Sequence, residues 1–139
     1  MALKAKQDLF ASVVATSDAL RRYHVTLYNI DPENTLGSVR RGAKFAYMNS
    51  VNGVSSAGDV TPSNLSLQVL ATQSGGKVLI NGNNLAGEIQ SCVEDANAFY
   101  TLTFEGAVAE HPNQYHSLEV KLNKPGLAAR TTTGYYSQP

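Results

Sequence analysis

Three stretches of the chain repeat apolar residues every three or four positions, which is the period of an amphipathic helix. They cover residues 3–23, a stretch that begins at Thr61-Pro62, and residues 84–97. A hydroxyl residue followed by proline marks a helix start, and Gly75 is placed to end the second helix in a left-handed conformation. The clearest apolar stripe belongs to the third helix and consists of Leu85, Ile89, Cys92, Val93 and Ala96.

Short runs of β-branched and aromatic residues separate these helices and predict strands at residues 24–30 and 77–80. Asp31-Pro32 ends the first strand, because proline has no backbone donor and restricts the residue before it. "NGN" at 81–83 turns the chain after the second strand. Strands that alternate with helices predict parallel pairing through right-handed crossovers.

The period changes from about 3.6 to 2 after residue 98. Residues 99–106 and 115–123 both alternate apolar and polar positions and predict an antiparallel hairpin. Lys124-Pro125-Gly126 fits a type II turn, and a last extended piece follows at 127–136. The predicted fold class is therefore α/β, a partial doubly wound sheet with parallel strands that a C-terminal antiparallel hairpin extends.

A length of 139 residues suits a single domain over 1–139. Its predicted parts include a long polar loop at 32–60 and a C-terminal β extension at 99–136. Within the loop, "KFAYM" at 44–48 is compatible with a short strand or with one helical turn.

Charge and cysteine content limit the classes of partner. The chain has 11 basic and 11 acidic residues, a balance that argues against nucleic acid as the main partner. No apolar run approaches the roughly 18 residues of a membrane span, so we expect no membrane insertion. Cys92 is the single cysteine, and its place on an apolar helix face predicts a small buried hydrophobe rather than a nucleophile.

The Gly75-Gly76-Lys77 stretch raises the question of a phosphate-binding loop. Such a loop follows a strand and opens a helix, so that the helix N-terminus faces the anion. Here the glycines close a helix and open a strand. The sequence therefore predicts a helix cap at this point rather than a nucleotide site.

Metal and cofactor motifs are weak throughout the chain. Asp59, Thr61 and Ser63 fit D-x-[ST]-x-S, a pattern that holds a divalent cation through hard oxygen ligands. That pattern requires a buried strand just before it, and "NGVSSAG" does not predict one. The three histidines lack metal-ligand spacing. We therefore predict neither a metal nor a cofactor.

A candidate ligand site lies at the carboxyl ends of the predicted parallel strands, where open α/β sheets place their sites. Asp31 and Glu33 offer a pair of carboxylates there. The alternative role of Asp31 is to cap the turn before proline. The full candidate set is Asp31, Glu33, Asn81, Asn83 and Asn84.

An ordered set of segments resembles the second half of a von Willebrand factor type A domain, and more specifically the acidobacterial von Willebrand factor A-related proteins. The tail carries the most specific part, with Lys124-Pro125-Gly126 as the turn and Arg130 as the basic residue before "GYY". The matching segments are "LRRYHVTLYNIDP", "LSLQVLATQSGGKVLINGNNLAGEIQ" and "DANAFYTLTFEG … YHSLEVKLNKPGLAARTTTGYY".

The resemblance implies a truncated form of the domain or a short paralogue, because the family's metal-ion-dependent adhesion site begins on a first strand that has no match here. No metal ligand is therefore carried over. Members of the family are commonly exported, which implies the same for a parent protein, although this chain carries no export signal.

Two hypotheses on function follow. The first is a non-enzymatic module for protein interaction or structure, which leaves a protein partner open. The second is a small-molecule-binding or hydrolytic domain that uses the strand-end site. We also expect a homo-oligomer, formed by strand addition at residues 25–30 or by exchange of the C-terminal hairpin, because exposed strand edges recruit other chains. Folding of the 32–60 loop over the edge would instead give a monomer.

Overall fold

The structure, a computed structural model, describes residues 2–31, 46–80 and 84–138. Its described helices are α1 (Leu3–Arg22), α2 (Leu67–Gln73) and α3 (Leu85–Asn97). Its described strands are β1 (Asn29–Ile30), β2 (Val78–Leu79), β3 (Gln114–Ser117) and β4 (Gly134–Ser137). The described chain is thus a mixed helix and strand fold, compatible with the α/β class.

The parallel pairing predicted for the first two strands is confirmed. Asn29 pairs with Val78 and Ile30 pairs with Leu79. The regular strands are shorter than predicted: residues 25–28 belong to no strand, and His24 has a left-handed φ of 53° in the turn after α1. Local hydrogen bonds occupy this stretch instead, because Val25 N–H donates to Leu20 O and Leu27 N–H donates to the Ser74 hydroxyl.

Gly75 ends α2 as predicted, with a φ of +84°. Gly75 N–H donates to Thr72 O and Gly76 N–H donates to Ala71 O, which is the paired hydrogen-bond pattern of a Schellman cap. A Cβ on Gly76 would lie 1.6 Å from the carbonyl oxygen of Leu27. The first glycine therefore caps the helix, and the second lets β1 and β2 approach each other.

A helix begins at Thr61-Pro62 as predicted, but it is a short 3-10 helix, and the prediction of one helix from there to Gly75 is wrong. Pro62–Leu65 forms a 3-10 turn, in which Thr61 N–H donates to the side-chain oxygen of Asn64 over 2.8 Å. Ser66 then caps α2, because its hydroxyl accepts a hydrogen bond from Val69 N–H. The chain changes direction between the two caps, and the apolar periodicity runs across that break without revealing it.

The C-terminal antiparallel pair is present, but its strands are not the predicted ones. β3 pairs with β4, so that Tyr115 faces Tyr136 and His116 faces Tyr135. Residues 99–106 form no strand, although they were predicted to pair with 115–123. The type II turn prediction is supported by Gly126, whose φ is +80° as position i+2 requires.

The hydrophobic core joins α1 to the C-terminal strand pair. Val13, Val60 and Tyr136 form its buried centre. The ring of Tyr136 meets Phe10 and Tyr115 edge-on, with centroids 6.3 and 5.2 Å apart. Tyr136 and Tyr115 therefore have a structural role.

Two further predictions concern parts of the long loop and of α3. Ala46–Ser50 forms a 3-10 helix, which agrees with the helical alternative for "KFAYM" in its described part. Cys92 is buried as predicted. The rest of the α3 stripe is not, because Leu85, Ile89 and Val93 are 43 to 48% exposed.

Candidate functional site

The strand-end site predicted from the sequence is described only in part. Asp31 follows β1 and is buried, and its backbone N–H donates to Leu79 O over 2.9 Å. Glu33, Asn81 and Asn83 lie outside the described residues. The strand-end site therefore remains a hypothesis for Glu33, Asn81 and Asn83.

Asn84 has a local role as the cap of α3. Its side-chain oxygen accepts a hydrogen bond from Gly87 N–H over 3.0 Å. Such a cap satisfies one of the donors that the first turn of a helix leaves unpaired. This fixes the start of α3 and commits the Asn84 oxygen to the helix.

The strongest polar cluster lies at the opposite ends of the strands. Asp95, in the last turn of α3, receives contacts from three distant side chains. Lys77 Nζ lies 2.7 Å from Oδ1, the Tyr28 hydroxyl donates to Oδ2 over 2.6 Å, and the Arg130 guanidinium also binds Oδ2. Tyr28 and Lys77 immediately precede β1 and β2, so the cluster sits at the amino ends of the parallel pair.

The electrostatics of this cluster favour an ionised carboxylate. A hydrogen bond from Arg130 holds the pKa of Asp95 well below its usual range, and those from Lys77 and Tyr28 act in the same direction against the cost of burial. Burial raises the pKa of Tyr28 to about 12, helped by its hydrogen bond to the Asp95 anion. A carboxylate with so low a pKa is a poor proton acceptor at neutral pH, which argues against general-base chemistry here.

Arg130 connects the C-terminal segment both to Asp95 and to the end of α2. Besides binding Asp95, its Nε–H donates to Gly75 O over 2.5 Å. Thr133 N–H donates to Gln73 O three residues later. The segment that leads into β4 is thereby fixed to α3 and to the end of α2, so we assign the cluster a structural role.

Sequence reasoning missed this cluster apart from Arg130, which was noted only through the family resemblance. One signal was present. Asp95 lies at a helix C-terminus, where the helix dipole disfavours an anion, and Glu94 beside it adds a second negative charge. An acidic residue in that position therefore indicates that cationic side chains from other parts of the fold stabilise it.

The thiol of Cys92 is one turn before Asp95 on the same helix. Burial raises the pKa of this thiol, and nearby Lys77 only partly opposes the effect. A protonated, buried thiol is a poor nucleophile. The structure therefore places Cys92 in the packing of α3.

The residues of the D-x-[ST]-x-S pattern do not fit a magnesium site. Residues 51–58, which precede Asp59, form bends and turns rather than a strand. The Asp59 carboxylate accepts a hydrogen bond from the Ser56 hydroxyl over 2.7 Å, and the Thr61 hydroxyl donates to Asn64 over 3.2 Å. Both oxygen groups are thus used by local turns.

A shallow groove of about 390 Å³ runs along the C-terminal half of α1. Its lining is apolar apart from the hydroxyls of Thr16 and Tyr23, and consists of Ala15, Thr16, Ala19, Leu20, Tyr23 and Val25. Ligand sites normally combine an apolar lining with several convergent polar groups. The groove lacks that combination, so it supports no specific chemistry.

An unusual surface of the described residues is the segment at 99–105, which belongs to no helix or strand and which we name the exposed segment. Its side chains project into solvent: Phe99 is 74% exposed, Tyr100 96%, Leu102 71% and Phe104 56%. Within the described part of the chain, no backbone hydrogen bond involves residues 99–106. Large apolar side chains and unpaired backbone groups together mark a surface for association.

The end of the exposed segment is anchored beside β4. The ring of Phe104 lies 5.7 Å from that of Tyr135, and the Tyr135 hydroxyl accepts a hydrogen bond from Ala107 N–H over 2.9 Å. The other end of the exposed segment follows α3 directly in the chain, because α3 ends at Asn97. The exposed segment is therefore held at both ends by ordered structure.

The described residues contain no helix long and apolar enough to cross a membrane, and no group of three or more His, Cys, Asp or Glu side chains arranged to hold a metal ion. Comparisons of the chain with protein-family models, curated proteins and solved structures found no match.

Proposed function

We propose that the chain is a non-enzymatic protein-interaction module that associates with a second copy of itself. The observation that carries this proposal is the exposed segment, where four large apolar side chains stand in solvent on a backbone that has no hydrogen-bond partner among the described residues. Burial of apolar surface is the main driving force for association. Zero net charge leaves little long-range repulsion between copies.

The contact surface in this proposal differs from the one expected from the sequence. The expectation was strand addition at residues 25–30 or exchange of the C-terminal hairpin. For the first route, β1 is only two residues long, and Leu27 N–H already donates to the Ser74 hydroxyl. Among the described residues, the exposed segment offers a longer stretch of backbone without hydrogen bonds and more exposed apolar side chains. It is therefore the better candidate for the contact.

The proposal includes the resemblance to the second half of a von Willebrand factor type A domain. Two observations support the resemblance. The first is the order of elements, which is α1, β1, α2, β2 and α3 along the chain. The second is the parallel pairing of β1 with β2. In such an arrangement the module would present side chains for contact rather than catalyse a reaction.

Light scattering coupled to gel filtration at micromolar concentration tests self-association. We expect a mass of twice the 14.9 kDa of one chain. A double variant, Tyr100→Ser with Leu102→Ser, should return the mass to that of a monomer. Its melting temperature should equal that of the unmodified chain diluted until it is monomeric, because both side chains project into solvent in the single chain and only the stabilisation by association is lost.

The matched control is Leu67→Ser, since Leu67 is also a large apolar residue, 65% exposed, but lies on α2. This variant should keep the mass of the unmodified chain. A monomeric unmodified chain across the whole concentration range would reject the proposal, and so would equal loss of association in the control.

A further inference from the structure

The sequence of the exposed segment is nearly symmetric about its centre. Residues 100–104 read Tyr-Thr-Leu-Thr-Phe, so that an aromatic residue, a threonine, a leucine, a threonine and an aromatic residue follow in order. A strand with such a pattern presents the same features when it is read in either direction. Self-complementary pairing of this kind is what a two-fold symmetric interface requires.

We infer that two copies of the chain dimerise by antiparallel pairing of their exposed segments, with Leu102 of one copy opposite Leu102 of the other. This inference rests on the proposed self-association and specifies its surface and register. In an antiparallel pair, residues directly opposite each other lie on the same face of the sheet. Tyr100 then faces Phe104 of the second copy, and Thr101 faces Thr103 of the second copy.

Each of these facing pairs belongs to a favourable class. Aromatic pairs and threonine pairs across neighbouring strands are stabilising, whereas like charges directly opposite each other are destabilising. Glu105 faces Phe99 of the second copy in this register, so the two Glu105 carboxylates are separated along the strands. The pairing also satisfies backbone N–H and C=O groups that have no partner within the described chain.

The apolar area on one face of the segment suits a weak dimer. Side chains alternate between the two faces of a strand, so Tyr100, Leu102 and Phe104 share one face. At roughly 200 Å² for a full side chain, their exposed fractions amount to about 450 Å² in each copy. Interfaces that bury less than about 1,200 Å² in total belong to the weak or transient class, so we expect dissociation on dilution.

Disulfide trapping tests the register. A Leu102→Cys variant places two thiols directly opposite each other, at the Cα separation of about 4.5–5.5 Å that suits a disulfide. We expect mild oxidation to convert most of this variant into a covalent dimer on a non-reducing gel. The unmodified chain is the first control, because its single thiol, Cys92, is buried.

Tyr100→Cys is the second control and separates pairing from random collision. Tyr100 is more exposed than Leu102, yet its two copies would lie four residues out of register, about 13 Å apart along the strands, too far for a disulfide. We expect little covalent dimer from Tyr100→Cys alone. An equimolar mixture of Tyr100→Cys with Phe104→Cys should instead form a covalent heterodimer.

The outcomes distinguish this register from self-association in general. A dimer by light scattering that gives no more covalent product with Leu102→Cys than with the unmodified chain overturns the register and leaves the proposed function standing. Equal cross-linking of Leu102→Cys and Tyr100→Cys also overturns it. A monomer by light scattering rejects both.

Discussion

The Tyr28 hydroxyl donates a hydrogen bond of 2.6 Å to the carboxylate of Asp95, 67 positions later in the chain. The contact joins the residue before β1 to the last turn of α3. Lys77 and Arg130 bind the same carboxylate, so one side chain links the amino ends of both parallel strands to the C-terminal segment. We therefore expect the stability of the chain to depend on Asp95 more than on any surface carboxylate.

The first prediction concerns acid stability. The folded-state pKa of Asp95 is lowered, so its contribution is present above the unfolded-state value of about 3.9 and is lost as the pH falls below it. Asp95→Asn should lower the free energy of unfolding at neutral pH by on the order of 2 kcal/mol, as for hydrogen bonds to charged groups. The variant should also lose less stability than the unmodified chain when the pH falls from neutral to about 2. Urea unfolding at several pH values measures this difference.

Asp18→Asn is the matched control for this prediction. Asp18 also binds two arginines, Arg21 and Arg22, but it does so on the exposed surface of α1. Surface ion pairs typically contribute about 0–1 kcal/mol. If both variants lost the same stability and showed the same pH profile, the special role of the Asp95 cluster would be refuted.

A second prediction follows from the raised pKa of Tyr28. Its phenol should ionise near pH 12, so the Tyr28→Phe variant should lose part of the tyrosinate absorbance change that the seven-tyrosine chain shows above about pH 11. Stability linked to this group is present below about pH 10 and is lost as the pH rises through the folded-state pKa. Tyr23→Phe, which removes an exposed phenol outside the cluster, is the control. An unchanged high-pH amplitude in Tyr28→Phe would contradict the assignment.

A third prediction separates two roles of glycine. Gly75→Ala should cost on the order of 1 kcal/mol, because φ is +84° and the new Cβ would lie 3.0 Å from the backbone of Thr131. Gly76→Ala should cost more, since its Cβ would meet Leu27 O at 1.6 Å and push β1 away from β2. Thermal unfolding measures both effects.

Gly126→Ala completes the glycine series as a control for backbone strain alone. Gly126 has a φ of +80°, but no atom lies within 4 Å of the position of an added Cβ. Its substitution should cost less than that of Gly75, where a close contact with Thr131 adds to the strain, and less than that of Gly76. A melting temperature that is unchanged or raised in Gly75→Ala would refute the capping role.

A fourth prediction concerns divalent cations. Calorimetric titration with magnesium and manganese should detect no micromolar site, because the Asp59 carboxylate and the Thr61 hydroxyl are both used in local turns. A micromolar site that Asp59→Ala abolishes would overturn this conclusion.

Sequence alone determined the features that depend on neighbours in the chain. The positions of α1 and α3 follow from apolar periodicity, and the left-handed Gly75 follows from the need for a residue without Cβ at the end of α2. The parallel pairing of β1 and β2 follows from their separation by a helix. The α3 stripe did not by itself determine burial, because Cys92 is buried whereas Leu85, Ile89 and Val93 are exposed.

Tertiary structure decided which segments pair and which side chains meet. Alternating patterns at 99–106 and 115–123 were equally good strand signals, yet Tyr115 pairs with Tyr136, because the core around Val13 takes the C-terminal strand. The Asp95 cluster depends on residues from four separate parts of the chain, and no local period records such a meeting. Propensity and periodicity describe one segment at a time, whereas pairing and charge clusters depend on the free energy of whole arrangements, which only the folded chain selects.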